Sequence, residues 1–329
     1  MIDKMLIFLV PGLIYGIGAI GLALILRYLR FPDFSVLGSI MLGGIVCIYV
    51  TKLTNSLLGT LAGFLTGGAL GLVTGILIHH LEIPRVLAGI ITFTASNSFG
   101  YFIAKVGTID LPQDLEAYLH PSSNFNDVLI VLAIALFICL FISFLIKTKL
   151  GSLILAMTSN ENFLNSRHRY QGIVIVVTLI LGNAIVGLAG SLFVLKLRSA
   201  QIISHMDFLP FSLASIFGGN AVAYWIYRIL NKGEDENTTV EKQQTNFKRL
   251  LKTLLNLVSI EREDSSMIGF LFFLYVLGCL FLSEISGLVN ANAFKSIHPY
   301  LNIPANSQYL VVAVLIVIFT WLAGWKEKK

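Results

Sequence analysis

Polar and charged residues are spread so unevenly along this chain that they read as punctuation. Between them lie apolar stretches rich in Leu, Ile, Val, Phe and Gly at 6–26, 36–52, 57–78, 86–105, 127–146, 173–195, 207–230, 266–289 and 308–325. Most approach the ~20 residues that a helix needs to cross a ~30 Å hydrocarbon layer. In lipid the backbone must satisfy its own hydrogen bonds, which leaves helices or closed barrels. Barrel strands alternate polar and apolar positions, and these stretches do not. The pattern therefore predicts an all-α fold, a polytopic integral membrane helix bundle with about nine transmembrane spans. Residues 1–329 form a single membrane domain on this reading. The first stretch is not a cleaved leader, because no A-x-A-like site follows it and more spans come after.

Composition points the same way. Hydrophobic residues make up 56% of the 329 positions and charged residues 12%, whereas a soluble domain carries about 25% charge. A soluble enzyme, a disordered chain and a disulfide-stapled secreted domain are excluded. Cys47, Cys139 and Cys279 fall inside apolar runs and have no metal-ligand spacing, so they read as reduced packing residues. The net charge of +5 is tested first as a topology signal, since Lys and Arg gather on the cytoplasmic side of membrane proteins. No nucleic-acid partner is expected.

Lys147, Lys149, Arg167 and Arg169 place the segment after the fifth span in the cytoplasm. Parity then puts Arg27, Arg30, Arg85 and the tail Lys326, Lys328 and Lys329 inside as well. Loop 106–126 falls outside and carries Asp110, Asp114 and Glu116 without a Lys or Arg. One connection disagrees, because Lys196 and Arg198 fall outside. A break within the membrane at Arg30–Ser39 would require the first two spans to be redrawn. The long polar stretch at 231–265 forms a cytoplasmic insert. In its second half Phe247, Leu250, Leu251, Leu254, Leu255 and Val258 recur at helical spacing, which predicts an amphipathic helix on the inner leaflet or against a partner.

The third span holds Gly59, Gly63, Gly67, Gly71 and Gly75 at a spacing of four. A face without side chains lets another helix backbone come close, so these glycines predict helix packing. No P-loop, H-E-x-x-H or C-x-x-C is present. His79 and His80 are adjacent and so point different ways on a helix. No cofactor and no metal are expected. Ion-coupled carriers usually bury acids or histidines in the membrane; here Asp33, after Pro32, is the best buried candidate, with Asp207 and Glu284 near span ends. That scarcity leaves the energy source to another subunit. Uncharged polar groups suited to a solute path are Thr92, Ser96 and Asn97 in the fourth span and Asn183 in the sixth, with Asp33 and Ser35 at the break. Such groups also serve to hold helices together.

Four segments carry a resemblance. Phe31-Pro32-Asp33-Phe34-Ser35-Val36-Leu37-Gly38-Ser39 resembles an F-P-D-[LF]-[ST]-V-[ED]-G-S stretch, with Leu37 in place of the acid. Ile83-Pro84-Arg85-Val86-Leu87-Ala88-Gly89-Ile90-Ile91-Thr92 resembles I-x-P-L-L-A-G-I-L-T, with the proline shifted by one. Thr148-Lys149-Leu150-Gly151 through Asn160 is similar to a T-x-L-G-x-x-L-R-A-x-G-x-N segment, with Leu155 for the arginine and Thr158 for the second glycine. Leu301-Asn302-Ile303-Pro304-Ala305-Asn306 is similar to L-x-x-P-x-[ND]. In order, over about 300 residues, these resemble the permease subunits of bacterial ATP-binding cassette (ABC) importers. The branch is that of the branched-chain amino acid and simple-sugar permeases, in a subgroup linked with aromatic amino acids. The glycine-rich stretch of that family is reduced here, between Met206 and Asn220, to Gly218 and Gly219.

The resemblance implies a multi-pass protein of the bacterial plasma membrane with no enzyme activity of its own. Its partners would be an ATP-binding ABC subunit, an external solute-binding protein and a second permease subunit, with a homodimer expected, all within the lipid bilayer. The segment 147–172 would be the cytoplasmic coupling segment. Thr148, Gly151, Ala156 and Asn160 match the family pattern there, and Arg167 and Arg169 would meet acidic groups of the ATPase. The solute would be small and polar, amino acid-like or sugar-like. Two other classes compete: a multispan enzyme of lipid modification, which would need an acidic metal-binding pair, and a stand-alone secondary transporter, which would work without an ATPase.

Overall fold

A computed structural model describes residues 2–29, 31–105, 107–120, 125–149, 151–154, 168–202 and 208–217, with backbone alone at 2–8 and 168–171. The elements in chain order are α1 (Ile2–Leu29), α2 (Ser35–Leu53), α3 (Ser56–His79), α4 (Arg85–Ala104), β1 (Thr108–Asp110), α5 (Phe125–Ile146), α6 (His168–Leu197) and β2 (Ser199–Gln201). A short apolar helix, α7, follows at Phe208–Phe217. Six helices, α1 to α6, contain stretches long and apolar enough to cross a membrane. They fall on the first six stretches read from the sequence. The seventh stretch opens on α7. Its remainder, the insert 231–265 and the stretches 266–289 and 308–325 lie outside the described residues.

Local chemistry marks the boundaries. Asn55 caps α3 by accepting the Leu58 N–H at 2.9 Å, which satisfies one of the donors every helix start leaves open. Pro84 precedes α4 in an extended conformation. At their far ends α4 and α6 stop alike. Lys105 (φ 49°) and Arg198 (φ 55°) adopt left-handed backbone, a costly conformation for residues with a side chain. Each reversal feeds a short strand, and the two strands pair antiparallel with Ile109 opposite Ala200. These two strands of three residues each depart from the all-helical expectation. They are too short to leave an alternating signature.

α6 is the hub of the bundle. α3 runs antiparallel to it, since Cβ atoms added at Gly75, Gly71 and Gly67 would meet Val176, Leu179 and Asn183 in turn. α2 runs parallel to it, with Ser39 bonded to Asn183 and Cys47 near the Ser191 carbonyl. α1 packs antiparallel on another side, Gly21 against Gly182 and Gly18 against Ala189. The core therefore lies between α1, α2 and α6. By contrast, α3 and α5 turn Leu57, Leu61, Leu65 and Leu72, and Leu136, Phe137, Leu140 and Phe144, outward. Exposed apolar rows of this kind fit contact with lipid.

Candidate functional site

The connection between α1 and α2 carries a fully buried carboxylate. Asp33 Oδ1 accepts the Ser35 N–H at 2.9 Å, an Asx turn that opens α2. Asp33 Oδ2 lies 2.6 Å from Ser35 Oγ and 3.1 Å from Asn183 Nδ2, which donates to it. Asn183 Nδ2 also donates to the Leu179 carbonyl at 3.1 Å, while its Oδ1 accepts from Ser39 Oγ at 2.6 Å. Ser35 Oγ is 3.2 Å from the same Oδ1, and its one proton belongs to the shorter contact with Asp33. Among the described residues no Lys, Arg or His pairs with Asp33; the two ion pairs, both of Asp127, lie at the far end of the bundle. A buried carboxylate without a cation is costly unless hydrogen bonds replace those of water, and Ser35 and Asn183 supply them.

This node sits well inside the bundle. Asn183 lies about 16 Å of helix rise beyond Gly172, where α6 meets the end of α3, at ~1.5 Å per residue. α2 and α6 thus meet at depth through Asp33, Ser35, Ser39 and Asn183. Two further features hold the break in place. Gly89 lets α4 lie against it, since an added Cβ would stand 2.8 Å from Asp33 Oδ1 and 3.0 Å from the Phe34 nitrogen. Arg85 donates to the Leu29 carbonyl at 3.2 Å, and its guanidinium lies 5.7 Å from the Phe31 ring centre. Sequence reasoning picked out Asp33, Ser35 and Asn183 separately. It missed Ser39, which lies one helical turn after Ser35, and the brace from Arg85.

The fourth-span candidates divide. Thr92 and Ser96 are fully buried on the packed face of α4. Thr92 Oγ1 lies 2.9 Å from Thr74 Oγ1 and donates to the Ala88 carbonyl. Ser96 Oγ donates to the Phe93 carbonyl at 2.7 Å and leans over Gly38. Asn97 is half-buried and turned away from that face. The glycines of α3 are all buried. Gly59 faces Cys47 and Thr51 of α2, Gly63 faces Ser191 and Gly43, and Gly67, Gly71 and Gly75 face α6.

The segment after α5 begins with a compact turn. Thr148 Oγ1 donates to the Leu145 carbonyl at 2.5 Å and accepts the Gly151 N–H at 3.4 Å. Residues 149 and 151–154 are helical, so Thr148 is the N-cap and Gly151 the third helical position. A Cβ at Gly151 would collide with the backbone of Ile146, so the turn can close only over glycine. Gly172, at the other end of the segment, lies directly under the His79 ring. A cleft of about 560 Å³ adjoins it, lined by Ile78, His79, Glu82, Ile83, Pro84, Arg85 and Ile175. Ala156, Asn160 and Arg167 lie outside the described residues, and Arg169 lies in the backbone of the first turn of α6.

The opposite end is clasped. Lys196 Nζ is 3.0 Å from Asp127 Oδ2 and donates to the His120 carbonyl at 2.5 Å. Both side chains are almost fully buried. Arg198 donates to the carbonyls of Pro112, Gln113 and Leu115. Tyr118 Oη lies 2.7 Å from Thr60 Oγ1, and burial pushes its phenol pKa upward, which keeps the proton on it. Lys196 and Arg198, which broke the charge pattern along the sequence, are thus consumed within the fold. Asp110, Asp114 and Glu116 stay exposed.

A family model described as "Branched-chain amino acid transport system / permease component" matches residues 4–320. The tyrosine transport system permease protein of Clostridioides difficile (strain R20291) is 31% identical over 213 residues, which cover 63% of this chain and 70% of that protein. No solved structure matches.

Proposed function

The chain belongs to the family of branched-chain amino acid transport system permease components, and from that premise we propose that it is the membrane-spanning subunit of an ABC-type importer. A separate ATP-binding subunit supplies the energy, an external binding protein delivers the solute, and a second permease subunit, a copy of this chain, completes the pathway. The protein works in the bacterial plasma membrane. The single observation that carries this reading is the family match across nearly the whole length, 4–320. The solute is an amino acid or a molecule of similar size and polarity; the relative named for tyrosine transport makes an aromatic amino acid the first to test.

In this reading the end bearing β1 and β2 faces outward, and the end bearing Lys147, Lys149 and Arg85 faces the cytoplasm, following the bias of basic residues. The clasped end keeps Lys196 and Arg198 inside protein contacts, which supports that orientation. The segment 147–172 receives the push of the ATPase. Thr148 and Gly151 shape its entry, and Ala156, Asn160, Arg167 and Arg169 complete the surface. The polar node at Asp33, Ser35 and Asn183 then serves as a latch between α2 and α6 beside the solute path. Its hydrogen bonds can be exchanged for solute or water when the two helices part. On α4, Thr92 and Ser96 stand on the packed side toward this node, and Asn97 stands on the uncovered side.

Co-expression with a candidate ABC ATPase from a neighbouring gene tests the reading. The expected result is a complex whose ATP hydrolysis rises when the solute-loaded binding protein is added. Gly151→Val should dissolve that stimulation while leaving the ATPase active alone. Absence of any complex, or solute uptake by the isolated protein without an ATPase, would overturn it.

A further inference from the structure

One face of α4 differs from every other uncovered helix face among the described residues. Thr94, Ser98, Tyr101 and Lys105 are exposed and Asn97 is half-buried. At ~100° per residue these five positions fall on one side of the helix, away from the packed side of Gly89, Thr92, Ser96 and Gly100. The exposed residues of α3 between Leu57 and Ile76, and those of α5 from Leu129 to Phe144, are all apolar; their half-buried polar positions are single hydroxyls, Thr66, which donates to the Ala62 carbonyl, and Ser143. On α4 itself the neighbouring side is apolar too, with Phe99 and Phe102 exposed. The polar strip is confined to the half of α4 nearer the strands. Toward the other end the same side continues as Leu87, Ile90 and Ile91, all exposed.

The members of the strip are not equal evidence. Thr94 and Ser98 return their hydroxyl protons to the carbonyls of Ile90 and Thr94, so hydrocarbon would tolerate them. Tyr101 and Lys105 stand near the end of α4, where aromatic rings and long cations reach the membrane surface. Asn97 is different. It lies two turns inside the helix end, and its carboxamide makes no hydrogen bond among the described residues. An amide facing acyl chains without a partner is costly, so Asn97 calls for water or a polar group on this side of α4.

We propose that Thr94, Asn97, Ser98 and Tyr101 line a water-filled passage for the solute, and that Lys105 stands at its outer mouth. The proposal rests on the importer reading above and deepens it. The strip offers hydroxyl and amide groups at depth and a phenol and one ammonium near the entrance, and α4 carries no acidic residue. That chemistry selects a small solute with a carboxylate and an uncharged polar remainder, and it disfavours a cation. The apolar continuation at Leu87, Ile90 and Ile91 closes the passage toward the cytoplasmic end.

The test needs neither solute nor ATPase, so its failure is distinct from failure of the importer reading. Single cysteines are placed at Asn97, Ser98, Tyr101, Phe99, Phe102 and Lys105 in the full chain in membrane vesicles. They are treated with a membrane-impermeant thiosulfonate bearing a sulfonate, or with its trimethylammonium counterpart. Modification is read by peptide mass spectrometry, with the three native cysteines left in place. Asn97→Cys and Ser98→Cys should react at least tenfold faster than Phe99→Cys and Phe102→Cys. The sulfonate reagent should be preferred at Asn97→Cys, and adding Lys105→Gln should cut that preference severalfold. Labelling confined to Tyr101→Cys and Lys105→Cys would mark an ordinary membrane-surface belt and overturn the proposal. So would an unchanged reagent preference after Lys105→Gln. If Asn97→Cys does not accumulate, Ser98→Cys decides alone.

Discussion

The two ends of this bundle are built by opposite means. At the strand end, side chains far apart in sequence are locked by charge and direction: Lys196 with Asp127, Arg198 on three carbonyls, Tyr118 with Thr60, and β1 with β2. At the other end, among the described residues, the contacts include no ion pair. Thr148 caps its own turn, His79 rests over Gly172, and Arg85 reaches one carbonyl. Between the ends, α3 meets α6 through backbone and glycine. Buried ion pairs resist displacement because separating them strands a charge; glycine contacts carry no such penalty for sliding. The contrast suits a transporter held firmly on one side and worked from the other.

The largest effect should come from the clasp. Asp127→Ala leaves the Lys196 ammonium buried without a counter-charge, a loss of about 3–5 kcal/mol. Thermal unfolding in detergent should show it as a large drop in midpoint. The double change Asp127→Leu with Lys196→Met should regain most of the loss. A single change that unfolds nothing would mean that the strand end is not the firm one. Next comes the seam between the ends. A methyl group at Gly71 runs into the Leu179 carbonyl, whereas one at Gly68 finds its nearest neighbour 3.5 Å away. Gly71→Ala should therefore cost ~1–3 kcal/mol, the usual range for overpacking, and Gly68→Ala close to nothing. Equal stability of the two variants would remove the seam from the comparison. The smallest effect belongs to the end that bears Thr148. Thr148→Ala removes a cap worth about 1 kcal/mol, yet should lower ATP-driven uptake more than Asp127→Leu with Lys196→Met does. The reverse ranking in an uptake assay would invert the assignment of the two ends.

Much of the fold was legible because lipid-facing and core-facing residues are both apolar, so each span shows as one block. The stretch 57–78 became Ser56–His79, and 36–52 became Ser35–Leu53. α6 begins earlier than its apolar block, at His168, because a helix does not stop where its residues become polar. Long-range pairing was not legible. Nothing in the string links Asp33 to Asn183, or Asp127 to Lys196, until α2, α5 and α6 are known to be neighbours. Counting charges treats Lys196 and Arg198 as free cations, and they failed that count because the fold had already used them. The helical period separated Asn97 from Ser96 by ~100°, but only packing tells which of the two sides is covered.

Gly43, Gly63 and Gly187 come from three different helices and meet at one place. A Cβ on Gly187 would stand 2.5 Å from the Gly63 oxygen, and one on Gly43 would stand 2.9 Å from the Gly187 Cα. A larger residue at Gly43 must push the main chains of α3 and α6 aside at once, and one at Gly63 or Gly187 meets the main chain of α2 or α3, so no single replacement of a neighbouring side chain can make room for it. Natural variation should therefore bypass this crossing. Descendants of this sequence can diversify along the outward rows of α3 and α5, while the junction stays frozen by its own geometry.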